Sequence, residues 1–102
     1  MNFDEEKLIQ CGVKLAEMHD LPAPPNELFR RKIHELLIER ENYEGALKGI
    51  ITREEAALLV LQHFQTLICH SAGKNEVSLV EDWSSLVEPV TSALFVKSTG
   101  KA

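Results

Sequence analysis

The chain has 102 residues, of which 44% are hydrophobic and 26% charged, and its formal net charge is −5 at pH 7. This length and composition predict one soluble globular domain with a single core. The acidic balance argues against binding to a nucleic-acid backbone, which relies on clustered Lys and Arg side chains. The longest unbroken apolar run has six residues, whereas a membrane-spanning helix needs about 20.

Two cysteines, Cys11 and Cys69, are too few for a disulfide framework, and both fall among apolar residues. We therefore expect buried free thiols. The N-terminus, MNFDEEK, is acidic and lacks the apolar stretch of a signal peptide, so we expect a cytoplasmic protein. Residues 1–102 are interpreted as one helical domain in which residues 1–3 and 98–102 fray.

The first predicted helix covers residues 4–20, where apolar residues recur at helical spacing. Gly12 falls on the apolar face. It lowers helix stability there by roughly 1 kcal/mol relative to Ala, and it indicates close approach of a second helix. Three prolines in the stretch LPAPP then end the helix. This stretch is either a helix-to-helix connection or an extended ligand motif.

The second predicted helix covers residues 27–41, with Asn26 as its N-cap. Its first turns carry the only basic cluster in the sequence, formed by Arg30, Arg31 and Lys32. Pairing with acidic residues of the same helix would make this cluster a solvated charged face. The alternative is a docking patch for an acidic partner or a second subunit.

Residues 52–71 form the helix around which the rest of the chain is expected to pack, after a connection at residues 42–51. Thr52 and Glu55 have the spacing of a capping box. The following helix is apolar around most of its circumference. Other helices must therefore cover it, and any uncovered remainder would act as an interface.

The start of this helix, residues 51–57 with the sequence ITREEAA, resembles the opening of winged-helix excisionase-type DNA-binding domains. In that family T-x-E-E-A-A precedes a short helix and then a turn. Here residues 58–62 continue as helix, and no basic recognition helix follows. The string is also a generic capping box, so we do not expect nucleic-acid binding.

Residues 76–96 have helical spacing and predict a fourth helix that is kinked or broken near Pro89, because proline removes a helical hydrogen bond. The alternative is a short strand at residues 91–96, where residues of high β propensity gather. Four acidic and no basic residues lie between residues 76 and 96, an acidic counterpart to the basic cluster. Trp83 is either a core residue or an interface anchor.

The sequence contains no pattern typical of catalysis or metal binding. His63 and His70 share a helix face beside Cys69, but zinc needs three or four ligands. Neither a Glu-x-x-His pair, a G-x-S-x-G frame nor a phosphate-binding glycine motif occurs. We therefore predict no enzymatic activity, no cofactor and no metal.

Together these features predict an all-α protein, an antiparallel four-helix bundle, that acts through protein–protein contacts as a homodimer. The alternative is an inhibitor- or immunity-type module that masks a basic partner protein. Neither a nucleic acid nor a membrane is expected as a partner. The residues predicted to form the interface are Leu58, Leu61, Phe64, Glu81, Asp82, Trp83, Arg30 and Arg31.

Overall fold

The computed structural model describes residues 3–39, 45–46, 48–73 and 84–96 of the chain. Its elements, in chain order, are α1 (Glu5–Met18), α2 (Asn26–His34), a π-helical segment (Glu35–Glu39), α3 (Arg53–Ser71) and α4 (Ser84–Leu94). Within these ranges the secondary structure is helical and no strand occurs. The predicted all-α class is confirmed.

Contacts between helix ends define the direction of each helix in the bundle. The N–H of Asp4, just before α1, donates to the carbonyl of Ala93 near the end of α4 at 2.7 Å. The guanidinium of Arg53, at the start of α3, lies 5.0 Å from the ring centre of Phe95 just after α4. α1 and α3 are therefore parallel to each other and antiparallel to α4. α1 and α3 each pack against all three other helices.

α2 runs antiparallel to α1, because Arg30 near its start and His34 at its end both reach Glu5 at the beginning of α1, while Phe29 contacts Gly12 farther along α1. The four helices thus alternate in direction along the chain. The predicted antiparallel four-helix bundle is confirmed, with α3 sharing its centre with α1.

Side-chain capping explains the start of α1, whereas the predicted cap of α2 needs correction. The N–H of Lys7 donates to the carboxylate of Asp4 at 3.1 Å, which caps α1. The prediction that Asn26 caps α2 is wrong. Asn26 is the first helical residue, and Pro25 occupies the cap position without a side-chain hydrogen bond. Proline at this position needs no N–H donor of its own and restricts the backbone before the helix.

The predicted capping box at the start of α3 is confirmed. The N–H of Thr52 donates to the Glu55 carboxylate at 2.9 Å, and the N–H of Glu55 donates to the Thr52 hydroxyl at 3.0 Å. The bond from the Thr52 backbone lowers the pKa of Glu55. α3 then runs without interruption to Ser71, so the turn required by the excisionase pattern is absent from it.

α4 continues through Pro89 to Leu94, so the alternative of a strand at residues 91–96 is wrong. The hydroxyl of Thr91 donates to the carbonyl of Val87 at 2.7 Å within this helix. Residues 76–83 of the predicted helix lie outside the described residues.

The core is centred on two fully buried aromatic rings, Phe29 of α2 and Phe64 of α3, which meet edge to face with their centroids 5.1 Å apart. A Cβ atom built on Gly12 of α1 would lie 2.6 Å from Cε1 of Phe29. Only glycine leaves room for the ring at this distance. The predicted close approach at Gly12 is therefore confirmed, and it places α1 against α2.

The two cysteines agree with the prediction of buried free thiols. Cys11 and Cys69 are free and buried. Phe3, in the segment expected to fray, packs partly buried against the core. In the part of the chain that the structure describes, no helix combines the length and apolar character needed to cross a bilayer.

Candidate functional site: surfaces of the bundle

The other helices cover α3 more completely than expected, since an uncovered apolar remainder was predicted for this helix. Leu61 and Phe64 are 0% exposed and belong to the core of this chain, so they offer no surface to a partner. Leu58 is half-buried and keeps part of its side chain accessible. Two of the predicted interface residues are thus core residues, because helices on several sides cover the inner arc of α3.

The basic cluster predicted on α2 is divided among different contacts, beginning with Arg30. Arg30 lies 3.1 Å from a carboxylate oxygen of Glu5 and 3.4 Å from one of Glu6. Nε2 of His34 donates to the other Glu5 oxygen at 2.9 Å. Arg30 and His34 therefore join α2 to the start of α1.

The other two cations of the cluster differ from Arg30. Lys32 pairs with Glu35 one helical turn later at 3.3 Å. Arg31 is exposed and makes no ion pair with the residues that the structure describes. The three cations thus do not form one docking patch, since two of them are neutralised by carboxylates of the same chain.

One polar contact inside the bundle was not predicted from the sequence. Gln65 of α3 is 0% exposed, and its amide oxygen accepts a hydrogen bond from Nε2 of His19, after α1, at 3.1 Å. The available signal was its spacing from Leu61 and Ile68, which places Gln65 on the buried face of α3. The contact positions the end of α1 against α3.

A surface groove of about 560 Å³ lies between α3 and α4. Within the described ranges, its lining combines two carboxylates, one guanidinium, two hydroxyls and one aliphatic side chain. These residues are Arg53, Glu54, Ser84, Val87, Glu88 and Thr91. We call it the α3/α4 groove. The sequence provided no signal for it, because the two carboxylates come from helices that are distant in sequence.

Arg53 has an unusual position in this groove. As the first residue of α3 it places a cation at the positive end of the helix dipole, which is unfavourable by about 0.3–1 kcal/mol. Its guanidinium lies over the ring of Phe95, 5.0 Å from the centroid, and such a contact offsets a similar amount of free energy. The Phe95 ring therefore holds Arg53 at the edge of the groove.

Exposed aliphatic side chains lie at the same end of the bundle. Ile50, just before α3, is 75% exposed, and Val96, just after α4, is 43% exposed. The contact between Arg53 and Phe95 brings these two chain segments together. This end of the bundle therefore presents apolar area next to the charged groove.

Three of the predicted interface residues, Glu81, Asp82 and Trp83, lie outside the described residues. Within the described ranges, no group of three or more potential ligands is placed to hold a metal ion. No protein-family model matches the chain, and no match was found among curated proteins or among solved structures.

Proposed function

We propose that this chain is a cytoplasmic protein without catalytic activity that acts through protein–protein contacts, as a homodimer formed around the α3/α4 groove. The observation that carries the proposal is the presence of both charge signs in one groove: Arg53 lies beside Glu54 and Glu88. In a twofold dimer the same patch meets itself. A patch with both signs can therefore pair Arg53 of each copy with a carboxylate of the other.

Apolar area beside the groove supports the same arrangement. Val87 is half-buried in the groove, and the more exposed Ile50 and Val96 lie at one end of the bundle. Stable interfaces combine an apolar centre with a polar rim and bury about 800 Å² per partner. In the proposed dimer these aliphatic side chains supply the apolar area, and the charged residues determine the orientation.

The second candidate function is an acidic module that masks a basic partner protein. Of the residues that the structure describes, the groove carries two carboxylates, Glu54 and Glu88, and one guanidinium, Arg53. The whole chain has a net charge of −5. A Lys or Arg side chain of a partner would find complementary charge there. Such binding would weaken strongly as salt is raised.

Sedimentation equilibrium over a range of protein concentrations, at low and high salt, tests the homodimer. We expect a concentration-dependent dimer at both salts, because its apolar part is not screened. The variants Arg53→Glu and Glu88→Arg should each weaken dimerisation by roughly 2- to 30-fold. This range follows because two symmetry-related pairs, worth about 0.2–1 kcal/mol each, are lost.

The double variant with both changes restores opposite charges and should recover most of the lost affinity. Arg31→Glu on the exposed face of α2 is the matched control, and it should leave dimerisation unchanged. A monomer at every concentration would refute the homodimer. In that case, salt-sensitive binding of a lysine-rich peptide, lost in Glu54→Gln/Glu88→Gln, would establish the acidic module instead.

A further inference from the structure

A second groove, of about 360 Å³, lies between α1 and α4 and differs from the first in its charge. Among the residues that the structure describes, none that lines this groove is acidic and two are lysines. The lining residues are Lys7, Gln10, Cys11, Lys14, Ser85, Leu86 and Pro89. We call it the α1/α4 groove. It opens on a different side of α4 from the α3/α4 groove.

The two lysines mark the two ends of the α1/α4 groove. They are seven residues apart on α1, which places their backbones about 10.5 Å apart along the helix axis and on one face. Nζ of Lys7 lies 3.5 Å from the hydroxyl of Ser92, so Lys7 leans toward α4. Neither lysine makes an ion pair with the residues that the structure describes, although the chain as a whole is acidic.

The wall between the lysines is apolar and uncharged. Leu86 and Pro89 come from α4, and Cys11 lies between Lys7 and Lys14 on α1, with 6% of its surface exposed. Burial raises the pKa of the Cys11 thiol, and the two lysines only partly oppose this shift. The thiol is therefore neutral at physiological pH and adds no negative charge to the groove.

We propose that the α1/α4 groove binds a small amphipathic carboxylate. Its apolar body would pack against Cys11, Leu86 and Pro89, and its carboxylate would pair with the ammonium group of Lys7 or Lys14. The volume lies near the lower end of the range of small-molecule sites, about 300–1,000 Å³, and such sites combine apolar walls with a few polar groups. This composition favours one small molecule over a protein segment.

Three probes that share one apolar chain test the ligand class: octanoate, octanol and octyltrimethylammonium. Each is titrated into the ¹⁵N-labelled protein, and amide shifts are followed at Gln10 and Ser85. We expect octanoate to shift both amides saturably. Octanol should bind up to roughly fivefold more weakly, because the charge-assisted contact is lost, and the cation should not bind. Equal affinity of octanol and octanoate would refute the proposed role of the lysines.

Variants separate the groove from non-specific binding. Lys7→Gln/Lys14→Gln should weaken octanoate binding by up to roughly fivefold, whereas Lys32→Gln, a lysine on α2 outside the groove, should leave it unchanged. Ser85→Phe should block the groove. Circular dichroism checks that each variant is folded.

Two results would overturn the proposal: unchanged affinity in the double lysine variant, or shifts that map away from α1 and α4. A glutamate-rich peptide that shifts Gln10 and Ser85 when octanoate does not would assign the groove to an acidic protein segment instead. Since the two grooves use different residues, this experiment can fail while the homodimer is supported, and the reverse also holds.

Discussion

Replacing Gly12 by alanine should raise the helix propensity of α1 but worsen its packing against α2. The structure indicates that the packing loss is the larger effect. On an exposed face, Gly→Ala stabilises a helix by about 1 kcal/mol. At Gly12 the added methyl group would lie 2.6, 2.8 and 2.9 Å from three ring atoms of Phe29. Carbon atoms prefer a separation of about 3.5–4.0 Å, so either the ring or the helix must move.

The Phe29 ring has little room to move, because it is fully buried and packs edge to face on Phe64. Overpacking of this kind costs about 1–3 kcal/mol. Three short contacts at once place Gly12→Ala in the upper part of that range. After subtraction of the propensity gain, we expect a net loss of about 1–2 kcal/mol in the free energy of unfolding.

Urea denaturation at equilibrium measures this loss as a lower midpoint with an unchanged m-value. Lys14→Gly and Lys14→Ala, at an exposed position of the same helix, provide the propensity difference without packing. In a Phe29→Leu background, which removes part of the ring, Gly12→Ala should become neutral or stabilising. The reasoning is refuted if Gly12→Ala stabilises the wild-type protein by the amount measured at Lys14.

Four further predictions concern the core, the α3 cap and the α1–α2 contact. Phe64→Ala should lower the free energy of unfolding by about 3–5 kcal/mol; a loss under about 1 kcal/mol in urea would contradict its central position. Thr52→Ala should cost about 1 kcal/mol, measurable as a lower melting temperature. Because the pKa of Glu55 is lowered by the Thr52 backbone, its contribution is present above the unfolded-state pKa of about 4.3 and is lost as pH falls through the folded-state pKa. Glu55→Gln should therefore flatten the acid side of the stability profile. Arg30→Gln should lower the free energy of unfolding only slightly, with a smaller loss at high salt, because its ion pairs are largely exposed.

The helices that were predicted correctly have strong local signals. The capping box of Thr52 and Glu55 acts within one turn, and its geometry depends on residues three apart. The apolar spacing of α1 and α3 likewise requires no knowledge of other helices. Around Pro89 the local signals were balanced, because β propensity competed with helical spacing. In the structure this segment is helical and packs as α4 against α1 and α3.

The surfaces were harder to predict, because they depend on which helices become neighbours. Arg30 is paired by Glu5 and Glu6, which lie on another helix, so a cluster that is basic in sequence is largely neutralised in space. In the same way, Leu61 is a core residue rather than an interface residue once the bundle encloses α3.

By itself, the sequence determined that this protein is helical, where α3 begins, and that Gly12 marks a close helix contact, because these properties depend on capping, spacing and the size of one side chain. Only the tertiary structure decided which charges meet. It brings Arg53 and Glu88 to one groove and leaves Lys7 and Lys14 on another. Helix pairing has this effect because it joins residues that are distant along the chain, and it thereby sets the charge of each groove.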